Sequence, residues 1–108
     1  MIIPLLFKAT KIGYIAGTGD GIVSVGGAPA SRKIYVFDPV LMTWIQTAKS
    51  LPNGHYLIQN LDPTKQYLII ARDYNKEYEP AVWDYVTPAT DLTISQQQEL
   101  WQSWQTST

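Results

Sequence analysis

The chain contains no cysteine, which excludes disulfide bridges and thiolate metal sites. Histidine occurs once, at position 55, so a His-based triad has that residue alone to build on. Charge is scarce as well: 16% of the 108 residues are charged, 8 basic against 9 acidic, for a net charge of -1. That balance offers no basic field to gather a polyanion, and no nucleic-acid partner is expected. Long apolar runs are missing. The stretch Met1 to Phe7 falls far short of the roughly 20 residues that span a bilayer. It also lacks the basic-then-apolar order of a secretory signal, so neither a signal peptide nor a membrane partner is expected. No internal repeat occurs, and the only compositional bias is the run of three glutamines at 96–98. What is present is ordinary globular composition: 45% apolar residues, seven glycines and seven prolines. A single domain of this length buries about 65% of its unfolded surface, enough to build a core without staples.

The local signals are those of strands and turns. Residues 1–19 read as an N-terminal arm, with Ile2, Ile3, Leu5, Leu6 and Phe7 interrupted by Pro4 and a short strand at Ile12 to Ala16. Three glycines in Gly17 to Gly21 make a turn, because glycine accepts positive φ. Ile22 to Val25 is β-branched, and Gly26-Gly27-Ala28-Pro29 breaks that strand. Arg32 to Asp38 is rich in β-branched and aromatic residues and ends at Asp38-Pro39. Thr43 to Lys49 and His55 to Asn60 are strands flanking Asn53-Gly54, a strong hairpin signal. Asp62-Pro63-Thr64-Lys65 suits a type I turn. Strands follow at Gln66 to Arg72 and Ala81 to Thr87, with a polar loop between them. The spacing of about 8–12 residues predicts an antiparallel sandwich or barrel occupying residues 20–94. Residues 95–108 differ in character. Ser95-Gln96-Gln97-Gln98 fits a capping box, and Leu100, Trp101 and Trp104 share one face of a short helix.

Alternation divides the clearest strands into two faces. Ile34 and Val36 oppose Tyr35 and Phe37; Tyr67, Ile69 and Ala71 oppose Leu68 and Ile70. Both faces are apolar, so something covers the second one: the terminal helix, the N-terminal arm or a neighbouring subunit. The expected interface comprises the arm (Ile2, Ile3, Leu5, Leu6, Phe7), the Tyr35/Phe37/Leu68/Ile70 face, and Trp101 with Trp104 on the helix. At least one of the two terminal segments is expected to reach a neighbouring chain, forming a homo-oligomer.

Residues 26–73 carry a recognisable pattern. Gly26-Gly27-Ala28-Pro29-Ala30-Ser31-Arg32 precedes Ile34-x-Val36-Phe37-Asp38; Thr47, Asn53-Gly54-His55-Tyr56-Leu57-Ile58, Asn60-Leu61-Asp62-Pro63, Tyr67 and Asp73 follow. The pattern resembles the carboxypeptidase-regulatory-like, or transthyretin-like, β-sandwich, in the variant found in tailed-phage virion proteins. Leu51-Pro52 departs from it, at a tip where the family often has polar residues. The resemblance implies an all-β, transthyretin-like (prealbumin-like) antiparallel sandwich of about seven strands with the short C-terminal helix appended. Tyr56, Ile58, Leu61, Tyr67 and Ile69 would form the inter-sheet core. It also implies a non-catalytic module that works through protein–protein contacts.

Candidate chemistry is thin. His55 lies at a hairpin flank, and no nucleophile motif accompanies it. Gly17-x-Gly19-x-Gly21 lacks the helix and the lysine of a phosphate cradle. Asp73, Asn75, Glu77, Glu79 and Asp84 follow the spacing of a calcium loop, but Tyr78 stands where the sharp-turn glycine belongs. Lys11, Lys33 and Asn75 lie at segment ends, which argues against the isopeptide crosslink that some relatives form. No catalytic residue, metal site or cofactor is therefore expected. Tyr74, Tyr78, Trp83 and Tyr85 form an aromatic group suited to stacking on a sugar ring or to a protein interface. The expected role is a structural component of a bacteriophage virion, in the tail, connector or baseplate, with other virion proteins as partners. The alternative is a host-receptor or glycan module using the 74–85 loop.

Overall fold

The two-faced alternation of 32–38 and 66–72 is realised in the centre of a four-stranded antiparallel sheet. The structure, a computed structural model, describes residues 12–17, 23–25, 27–72 and 81–106. In chain order the strands are β1 (Gly13–Gly17), β2 (Ser24–Val25), β3 (Ala28–Pro29), β4 (Lys33–Phe37), β5 (Trp44–Lys49), β6 (Tyr56–Leu61), β7 (Tyr67–Ala71) and β8 (Ala81–Val86), followed by helix α1 (Ile94–Thr106). Among the described residues the chain is thus mainly β, with antiparallel sheets and one short C-terminal helix. The large sheet has the order β5-β4-β7-β8, while β1 pairs with β6 and β2 with β3. The described residues hold eight strands, two of them of only two residues each, against about seven expected for the whole chain.

The core lies between the large sheet and the β1–β6 pair. Tyr56, Ile58, Leu61, Tyr67 and Ile69 are all buried, together with Val23, Ile34, Val36 and Ala71. Leu61 reaches this core by a local irregularity. Strict alternation from Tyr56 and Ile58 would place it on the opposite face. Gly13 pairs with Leu61 and Ile15 with Ile58, so β6 carries one extra residue between its two partners. Asn60 supplies the kink with φ 62°, a conformation asparagine tolerates better than most residues. Opposite it, Gly13 is required by proximity. A Cβ there would lie 2.8 Å from the Leu61 carbonyl oxygen and 2.8 Å from Cβ of Pro88.

Three expectations change. Asn53-Gly54 does turn the chain, with Gly54 at φ 86° and its N–H donating to the Leu51 carbonyl. The turn does not join paired strands, however. β5 belongs to the large sheet and β6 to the small one, so the turn crosses between layers. Buried Ser50 stands at this crossing. Its hydroxyl donates to the Ala30 carbonyl (2.7 Å) and accepts from the Arg32 N–H (2.8 Å), which explains why a polar side chain is enclosed there. Second, Ala28-Pro29 does not merely break a strand. It pairs with Ser24-Val25, after Gly27 turns the chain at φ 86°. Third, the helix begins at Ile94, and Thr93 rather than Ser95 caps it. The Gln96 N–H donates to Thr93 Oγ1 (3.1 Å), and the Thr93 N–H donates to Gln96 Oε1 (2.9 Å), a complete reciprocal box.

Ile58 is fully enclosed between the two sheets. Ile58→Ala is expected to lower unfolding free energy by about 2–5 kcal/mol in denaturant titration. A loss under about 1 kcal/mol would mean that this packing does not carry the core.

Candidate functional site

The β4–β5 connection presents the largest exposed aliphatic residues among those described. Val40 is 85% exposed, Leu41 71% and Met42 59%, and Trp44 and Ile45 follow at 61% and 40% at the start of edge strand β5. Soluble proteins seldom gather such residues on one projection without use for them. The backbone of this finger is closed on itself. Asp38 Oδ1 accepts the N–H groups of Val40 (2.9 Å) and Leu41 (3.0 Å). The Met42 N–H donates to the Asp38 carbonyl at 2.8 Å, and the Asp38 N–H to the Thr43 carbonyl at 2.9 Å. Met42 takes the left-handed conformation, φ 55°, that lets so short a loop return. Trp44 Nε1 donates to Thr47 Oγ1 at 2.9 Å. The Leu41 and Val40 N–H groups, helped by Lys65, hold the Asp38 carboxyl below its usual range.

A cleft of about 440 Å³ opens at the other edge of the molecule, lined by Ile15, Ala16, Thr87, Ala89 and Leu100 beside Tyr14 and Asp91. The Tyr14 hydroxyl donates to Asp91 Oδ1 at 2.5 Å. Burial, then that hydrogen bond, then the Asp91 charge push the phenol up to about 12. Backbone bonds between Tyr14 and Ala89 in both directions fix the floor of the cleft. No protein family, curated protein or solved structure matches this chain.

The residues expected to act fall into three groups. The first is the apolar outer face of the large sheet. Register aligns Thr47, Tyr35, Ile70 and Val82 in one row across the sheet, and Trp44, Phe37 and Leu68 in the next. Leu68 is buried, Tyr35, Phe37 and Ile70 are half-buried, and Val82 is 56% exposed at the β8 edge. The second group, Trp101 and Trp104, lies on the helix, which packs on β6 and not on that outer face. Trp104 is buried within its own chain. His55 stacks on it with ring centroids 4.7 Å apart and planes at 10°, and Trp101 meets it edge-on at 6.3 Å. The single histidine thus packs against tryptophan, while its Nδ1 lies 3.0 Å from the Gly17 carbonyl. The third group is the aromatic set, of which Trp83 (42% exposed) and Tyr85 (67%) stand on edge strand β8.

The arm residues Ile2, Ile3, Leu5, Leu6 and Phe7 lie outside the described residues, as do Tyr74, Tyr78, Gly19, Gly21, Lys11 and the loop positions Asp73, Asn75, Glu77 and Glu79. Asp84 uses Oδ1 to accept the Tyr85 N–H. Among the described residues no cluster of three metal-binding side chains occurs, and no helix is long and apolar enough to cross a membrane. The finger itself was missed by strand patterning, which stopped at Asp38-Pro39 and resumed at Thr43. Its signal was the ten-residue uncharged run from Pro39 to Ala48.

Tyr14 and Tyr56 both hold their protons more tightly when folded, Tyr56 through burial. Unfolded tyrosine ionises near pH 10, so the native state binds more protons above that point. Stability is therefore complete below pH 10 and declines as pH rises toward about 12. Thermal melts across that window are expected to fall, and Tyr14→Phe is expected to flatten part of the slope. An unaltered slope in Tyr14→Phe would refute the assignment.

Proposed function

We propose that this chain is a non-catalytic structural component of a bacteriophage virion, in the tail, connector or baseplate. In this reading it is a transthyretin-like sandwich that works through protein–protein contacts. The observation that carries the contact role is the 38–45 finger. It is uncharged beyond Asp38, its large side chains point into water, and the N–H groups of Asp38, Val40, Leu41 and Met42 are already bonded within it. Such a projection enters an apolar socket with its tip N–H groups already paired and little loop ordering left to do. The virion setting and the family come from the resemblance of residues 26–73, whose Gly54 turn and Tyr56/Tyr67 core positions serve a sandwich well.

A second reading, a glycan or receptor module, draws on the exposed Trp83 and Tyr85 of β8. The two separate experimentally. A structural subunit is expected to copurify with intact particles at fixed stoichiometry by quantitative mass spectrometry, and the isolated chain should not bind host envelopes. Absence from purified particles would refute the virion role. Envelope binding abolished by Trp83→Ala would favour the second reading.

A further inference from the structure

We propose that the outer face of the large sheet receives one amphipathic helix of another protein, laid along β4 and β7 with its acidic C-terminal end over Lys33 and Arg72. This surface is separate from the finger, so the inference goes beyond the reading above.

Strand register builds the surface. Ile34 pairs with Ala48 and with Ala71, and all three turn toward the core. Their neighbours Lys33, Lys49 and Arg72 therefore turn outward, because side chains alternate along a strand. Lys33 lies directly opposite Lys49, and the Arg72 N–H donates to the Lys33 carbonyl at 3.4 Å. The three cations thus form one strip across β5, β4 and the end of β7, and all three are exposed. Like charges opposite each other on paired strands disfavour folding. Yet this strip takes three of the five basic residues among those described, the others being Arg32 and Lys65. Next along the face comes the row Thr47, Tyr35, Ile70 and Val82, then Trp44, Phe37 and Leu68. Asp38, Asp62 and Asp84 stand at the far end, where Lys65 offsets one of them. Among the described residues the face is therefore apolar in the middle, basic at one end and acidic on balance at the other.

That polarity selects the occupant. The chain's own helix packs on β6 and not here. A surface of side chains offers no backbone partners, so whatever lies on it must close its own backbone hydrogen bonds, as a helix does. A lipid surface carries one sign of charge throughout and is opposed at the Asp84 end. A helix is polar along its axis: its C-terminal carbonyls favour cations, and its N-terminal N–H groups favour carboxylates. Its dimensions fit as well. From Lys33 to Phe37 the strand runs about 14 Å, the length of roughly ten helical residues, and a helix about 10 Å wide covers both β4 and β7.

Two stapled helical peptides of about fourteen residues test the proposal, with the same leucine stripe but ending in glutamates in one and lysines in the other. Binding is read from amide chemical shifts of the full chain. Wild type is expected to bind the glutamate peptide about tenfold more tightly, with shifts concentrated on Lys33, Tyr35, Ile70 and Arg72. Lys33→Glu/Arg72→Glu, with the dispersed spectrum of a folded chain, is expected to invert that preference, and Ile70→Thr to weaken both peptides. A wild type that binds neither peptide, or both equally, overturns the proposal. So does a charge-reversed variant that keeps the wild-type preference, the result expected if Asp73, Glu77 and Glu79 in the loop after Arg72 already neutralise the strip. A wild type that ignores both peptides but sediments with phosphatidylglycerol vesicles gives the face to lipid, and self-association abolished by Ile70→Thr gives it to a second copy; either result overturns the proposal. Absence from purified particles sinks the virion role and leaves the peptide result untouched.

Discussion

One buried amide holds the two-stranded side of this molecule in place. Gln97 is polar and has no exposed surface. Its Nε2 donates to the carbonyls of Ile12 and Leu92, both at 3.1 Å, and its Oε1 accepts from Gln59 Nε2 at 2.9 Å. Those contacts join the residue before β1, the approach to the helix, and β6. A pair of strands is marginal by itself in water. The β1–β6 pair has the large sheet on one face and α1 on the other, where Trp104 covers His55 and its carbonyl accepts from Asn53 Nδ2 at 3.1 Å. A buried amide so placed is costly if misaligned, which fixes the docking position of the helix more sharply than apolar contact alone.

This arrangement divides the apolar residues by purpose. Those on the inner faces of β4, β6 and β7 are consumed by the core, and Trp104 is consumed by the Asn53–His55 turn between the sheets. Those on the finger and along the sheet edges remain in water. The finger holds its shape because Asp38 and the Met42 turn bond the N–H groups of Val40, Leu41 and Met42 internally. Exposed edge strands invite pairing with other chains. Here the irregular pairing at Phe37–Trp44 and at Tyr67–Ile69 distorts both edges of the large sheet, which disfavours simple strand addition.

The sequence by itself determined the strands other than Ala28–Pro29, the five core positions named from alternation and resemblance, and the presence of a terminal helix. Those features rest on short-range rules: side chains alternate along a strand, asparagine and glycine accept positive φ, and apolar residues three or four apart share a helix face. Tertiary structure decided what depends on distant neighbours. Three successive glutamines look equivalent in the sequence. Gln96 closes the cap on Thr93, Gln97 is enclosed against β1 and β6, and Gln98 stays in solvent, because only the docked helix gives each a different surrounding. The Asn-Gly turn was legible, but its passage from one sheet to the other was not. A turn signal fixes local dihedral angles and says nothing of which strand each flank will pair with. The finger was illegible for the same reason: Val40, Leu41 and Met42 are apolar residues like any in the core, and only the closing of β4 against β5 sets them in water.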